Sequence, residues 1–107
     1  MKHSIAYLAQ YIALNTILDT LQAVGQPLSY GKVAGLIGLQ ARSSTFFEML
    51  GDTMDEDHAA KRPLRCSFVV RHKSGRPGPA YFERASNLGY VIPDPDRFHD
   101  RQLAQTP

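Results

Sequence analysis

The chain has 107 residues, about one domain, which excludes a two-lobed enzyme with separate cofactor and substrate domains. Apolar residues make up 43% and charged residues 21%, enough for one small core and too little charge for an intrinsically disordered chain. Cys66 is the single cysteine, so no disulfide framework forms within the chain, and four scattered histidines add no structural zinc spacing. No apolar run is long enough to span a bilayer, and Met1-Lys2-His3 precedes no signal-peptide core. The expectation is a cytoplasmic single domain with no cofactor, metal or membrane partner.

The first predicted element is an amphipathic helix from Ser4 to Val24. Tyr7, Leu8, Tyr11, Leu14, Ile17, Leu18 and Leu21 recur at three- and four-residue spacing, one apolar stripe facing a core. Gly25 stops it and Pro27 prevents continuation. A shorter helix follows, with Ser29 as N-cap, Val33, Ala34, Leu36 and Ile37 on its buried face, and Gly38 at its end. After the linker Leu39–Ser43, Thr45-Phe46-Phe47-Glu48 fits a capping box opening a third helix, with Phe46, Phe47, Leu50 and Met54 turned inward. Two short helices joined by a tight linker have the layout of a helix-turn-helix.

Gly51 to Arg62 is acidic, then basic, with few apolar anchors, and is expected as an exposed connection. In Leu64–Arg71, Leu64, Cys66, Phe68 and Val70 alternate with Arg65, Ser67 and Arg71, the period of a half-buried strand. Lys73-Ser74-Gly75-Arg76-Pro77-Gly78-Pro79 is dense in turn formers and positive charge. Pro79 opens a last short helix through Leu88, stopped by Gly89, and Tyr90-Val91-Ile92 is expected as a second strand pairing with the first. The expected fold is α+β and winged-helix-like: three N-terminal helices, a small β-element with a basic turn, and a short C-terminal helix. Residues 1–92 form the domain in this reading, and 93–107, with three prolines and three aspartates, a loosely ordered tail.

The net charge of +2 conceals a segregation. Residues 1–60 sum to −3, residues 61–84 to +6 and residues 85–107 to −1, so the positive charge concentrates on the expected strand and turn. Double-stranded DNA is the partner this suggests. In a helix-turn-helix the second helix enters a groove with its N-terminal residues toward the bases, here Arg42, Ser43, Ser44 and Thr45. Ser29, Tyr30 and Lys32 open the preceding helix, where a hydroxyl and a cation suit a phosphate. Arg71, Lys73 and Arg76 complete the set as a wing over the adjacent backbone.

Ser29-Tyr30-Gly31-Lys32-Val33-Ala34-Gly35-Leu36-Ile37-Gly38 resembles the DNA-binding domain of the alkylguanine-DNA alkyltransferases and their alkyltransferase-like relatives. Pro63-Leu64-Arg65-Cys66-Ser67-Phe68-Val69-Val70, with Gly75 beyond, is similar to that family's Pro-Cys-His-Arg-Val segment and glycine turn. Together the matches span residues 27–78. The resemblance implies a winged-helix fold, recognition of modified DNA, and a Tyr30 that presses on the backbone of the target nucleotide. It departs at Ser67 and Phe68, where the family has His and Arg. The family's Ala-Arg pair falls near Ser43-Ser44, one residue past Arg42. Without the histidine, nothing in the motif activates the Cys66 thiol.

An apolar strand face would keep that thiol protonated and inert. No catalytic residue is assigned, and the carboxylates Asp52, Asp55, Glu56 and Asp57 are expected as a solvated charge run. The sequence therefore points to a non-catalytic DNA-binding protein, recognising modified DNA or regulating transcription. The alternatives are a protein–protein interaction module, an adaptor or inhibitor that uses the basic turn, and Cys66-dependent alkyl transfer.

Overall fold

In the computed structural model, which describes residues 4–105, Ser4 opens α1 (Ile5–Val24) by accepting a hydrogen bond from the Tyr7 N–H. Gly25 closes it in the left-handed region at φ 78°, a conformation that costs a residue with a Cβ about 1–2 kcal/mol. β1 (Leu28–Ser29) runs directly into α2 (Tyr30–Leu36), and the Ser29 hydroxyl caps that helix at the Lys32 N–H. α3 (Ser44–Ala59) follows, then a 3₁₀ turn (Arg65–Phe68), β2 (Val69–Val70), α4 (Pro79–Asn87) and α5 (Pro95–Ala104). The architecture is α+β and mostly helical, with a two-stranded sheet.

Several expectations are corrected. Gly51 to Arg62 is not a connection: α3 continues to Ala59. Phe46, Met49, Leu50, Thr53, Met54 and Asp57 are buried along it, one continuous helical stripe. Its N-cap is Ser43, whose hydroxyl accepts from the Phe46 N–H, rather than Thr45. Phe47 falls beside the stripe and is 40% exposed.

The Leu64–Arg71 strand is also replaced. The alternation predicted a half-buried strand, yet every residue from Leu64 to Val70 is buried, so the period of two carries no information there. A 3₁₀ turn leads into two extended residues, and these pair in parallel with β1, Leu28 opposite Val69 and Ser29 opposite Val70. Tyr90–Ile92 takes no part in the sheet. Finally, residues 95–104 are helical. Asp94 caps α5 at the Arg97 N–H, Pro95 sits in its first turn, and Phe98, His99 and Gln102 are buried on one face.

The core gathers Leu14 and Leu18 of α1, Val33 and Ala34 of α2, Phe46, Met49 and Met54 of α3, Leu64, Cys66 and Val69, Tyr81 and Ala85 of α4, and Phe98 of α5. Burial of a leucine or phenylalanine contributes about 1.5–3 kcal/mol. The 3₁₀ turn lies at the centre, in contact with α1, α3 and α5. Its polar groups are satisfied in place. The Arg65 backbone N–H and Nε donate to Asp57 at 3.0 Å, its Nη1 to Asp19 and its Nη2 to Asn15, both at 2.8 Å. The Ser67 and Tyr81 hydroxyls share a short hydrogen bond. Among the described residues no helix is long and apolar enough to cross a membrane.

Candidate nucleic-acid interface

The parallel pairing of β1 with β2 decides what lies together on the surface. Parallel strands leave the sheet at the same end. β1 exits into the start of α2 and β2 into the turn Arg71–Arg76, which is closed by the Arg71 N–H on the Arg76 carbonyl and the Gly75 N–H on the Arg71 carbonyl. Both exits therefore front one groove of about 230 Å³, lined by Ser29, Lys32, Arg71, His72 and Gly75. Lys32, Arg71 and the neighbouring Lys73 are exposed, and none has an ion-pair partner among the described residues. Ser29, Lys32 and Arg71, selected from two separate stretches of sequence, are thus brought together.

Tyr30 is placed differently from the nucleotide-pressing role the resemblance implies. Its ring lies 5.9 Å from that of Phe47, and its hydroxyl accepts the Gly78 N–H at 2.9 Å. Burial pushes its pKa up to about 12. Tyr30 therefore ties the start of α2 to the far end of the basic turn.

Arg76 is not part of the free positive surface. It points to α5, where Nη1 reaches Asp100 Oδ1 at 2.7 Å, the Asp96 carbonyl at 3.1 Å and His99 Nδ1 at 3.1 Å. Other cations of the +6 stretch are likewise paired with carboxylates of the fold. Arg65 is 5% exposed beside Asp57, Arg62 also meets Asp57, and Arg84 pairs bidentately with Asp55. Lys61, Arg71 and Lys73 remain. The carboxylates of α3 are not a solvated run either, since the Tyr7 hydroxyl donates to Asp52 and the Tyr11 hydroxyl to Glu56.

At the start of α3, Ser43 spends its oxygen on the cap, Ser44 is exposed, and Thr45 is half-buried. Arg42 is exposed on the connection between α2 and α3 and does not line the Lys32–Arg71 groove.

On the other side of Tyr30 lies a pocket of about 90 Å³, lined by Phe47, Leu50, Met54, Cys66, Tyr81 and Arg84 among others. Phe47, Tyr81 and Arg84 were not selected from the sequence. Continuing the helical period of α3 through Asp57 would have put Phe47 off the buried stripe. Arg84 depends on Gly51: a Cβ there would stand 3.0 Å from the guanidinium carbon, so the glycine makes room for the cation to lie against the helix. Cys66 is 2% exposed, and burial pushes its pKa up to about 12, a setting for an inert thiol. Among the described residues no cluster of three or more His, Cys, Asp or Glu side chains could hold a metal ion. Comparison of the sequence with protein families and with curated proteins, and of the fold with solved structures, finds no match.

Proposed function

We propose that this chain is a non-catalytic protein of winged-helix type that binds double-stranded DNA. In this reading α2 and α3 form the helix-turn-helix and the Arg71–Arg76 turn is the wing. The observation that carries it is the groove in which Ser29 and Lys32 face Arg71, with Lys73 on the adjoining turn. Cations from two segments, held at one edge without internal partners, suit the regularly spaced charges of a phosphate backbone. Arg42, on the connection before α3, and Ser44, at its start, are exposed and serve as the base-facing residues of this arrangement.

The resemblance to alkyltransferase-like proteins adds modified DNA as the target class. The pocket behind Tyr30 supports a narrow version of it. At about 90 Å³ it is smaller than the roughly 150 Å³ cavity that holds a benzene ring. It therefore suits a small apolar substituent rather than a whole base. The buried, protonated Cys66 supports binding without alkyl transfer.

The test is a fluorescence-anisotropy titration of duplex DNA at several salt concentrations, with an alkylated-guanine duplex alongside the plain one. Replacing Lys32, Arg71 and Lys73 together by Ala removes up to three phosphate contacts and should flatten the slope of log K against log salt by about 2.7. An unchanged slope sinks the groove assignment. Equal affinity for plain and alkylated duplexes removes the modified-base component.

A further inference from the structure

We propose that His99 is a proton-operated latch: its neutral ring holds Arg76 against α5, and its protonated ring releases Arg76 into the basic turn. Both ring nitrogens are committed. Nε2 lies 2.7 Å from the Ser67 carbonyl oxygen, which only accepts, so Nε2 carries the hydrogen. Nδ1 therefore presents its lone pair, and Arg76 Nη1 donates to it at 3.1 Å. The imidazole is 1% exposed, so neither partner is replaced by bulk water.

The bonding at Arg76 is oversubscribed. Nη1 has two hydrogens and faces three acceptors: His99 Nδ1, the Asp96 carbonyl and Asp100 Oδ1. A proton taken from solvent by Nδ1 removes one acceptor and sets an imidazolium N–H against a guanidinium N–H. The new Nδ1–H needs an acceptor, and the nearby ones are the Asp96 and Asp100 oxygens already used by Arg76. Arg76, 30% exposed at its side chain, has solvent to move into; His99 does not. The proton thus exchanges the cation that α5 holds.

The groups facing His99 act in both directions. Asp96 and Asp100 on α5 favour the imidazolium, as does the Ser67 carbonyl of the 3₁₀ turn; Arg76 from the basic turn opposes it. Tyr81 of α4 meets the ring edge-on at 6.2 Å. Burial is the largest influence and holds the pKa below the usual 6.5. A lowered histidine pKa means that the folded state prefers the neutral ring. Its contribution to stability is complete above about pH 6.5 and is lost as pH falls through the folded pKa.

NMR of the full chain between pH 7.5 and 5 tests the latch without any ligand. The amides of Ser74, Gly75 and Gly78 should move with the same midpoint, below 6.5, as the His99 ring protons. In His99→Gln the side chain offers the same donor and acceptor but takes no proton, and that midpoint should vanish. Turn amides that stay still while His99 titrates overturn the latch. So does a midpoint that persists in His99→Gln once His72, the exposed ring of the turn itself, is also replaced by Gln, because it would belong to neither histidine. If His99→Gln fails to fold, Asp100→Asn should shift both midpoints to lower pH together; movement of one alone overturns the coupling.

A second arm rests on the DNA-binding reading. Released Arg76 should add about one phosphate contact and steepen the salt slope by about 0.9 on going from above to below the His99 midpoint. An unchanged slope overturns that use of the arginine. Failure to bind DNA at either pH defeats the DNA reading alone.

Discussion

Replacing Asp57 by Ala tests whether the centre of this fold is held by charge. Asp57 is fully buried and accepts from the backbone N–H and Nε of Arg65, and Arg62 reaches it at 2.9 Å. Its removal strands a guanidinium that is 5% exposed. Breaking one partner of a buried pair costs about 3–5 kcal/mol. Arg65 would keep Asp19 and Asn15, but Asp19 is largely exposed and solvent screens it, so the expected loss is about 3 kcal/mol. Domains of this size are stable by about 5–15 kcal/mol, and the melting temperature should fall by roughly 13 °C. Urea and thermal unfolding followed by circular dichroism measure both quantities. The double variant Asp57→Leu, Arg65→Met, which removes both charges, should lose less than the single one. A single variant that costs less than about 1 kcal/mol, the range of exposed pairs, would refute a charge-held centre.

Lys61 stands at φ 58°, one residue beyond the Ala60 cap of α3, where the Lys61 and Arg62 N–H groups close the helix onto His58 and Asp57. Lys61→Gly should stabilise the chain by about 1 kcal/mol in a urea melt, because only the glycine adopts that conformation without strain. Cys66 should react with a thiol reagent in the native state only at the rate of unfolding when labelled at a series of pH values; faster labelling that rises with pH would show a solvent-reachable thiolate.

Capping chemistry made several elements legible. Ser4 and Gly25 bound α1, Ser29 begins α2, and Pro79 with Gly89 frames α4, each as the sequence predicts. These signals are local, so no tertiary contact is needed to read them. α3 was cut short because its acids look like a solvated run. Each of Asp52, Asp55, Glu56 and Asp57 is in fact answered from another element, by Tyr7, Arg84, Tyr11 and Arg65. α5 did carry a signal, Asp94-Pro95 followed by Phe98 and Gln102 four residues apart, but its polar composition outweighed it. Lys32 and Arg71 were readable as exposed cations. Their meeting was not, because it depends on a parallel pair of two-residue strands that no periodicity reveals. Arg76 was miscounted because its acceptors lie in the supposed tail.

Those two strands leave the sheet side by side, with consequences for how the chain tolerates change. Residues 71–75 between β2 and Arg76 are exposed, while the strand residues Val69 and Val70 beneath them are buried. Insertions and deletions concentrate in such exposed turns because they disturb no packed backbone. The turn is pinned at its far end by Arg76 on α5 and by the Gly78 N–H on Tyr30. Its length and charge are therefore free to vary between fixed ends. The make-up of this turn is thus separable from folding: a turn from another source, spliced between Arg71 and Arg76, would inherit the same footing.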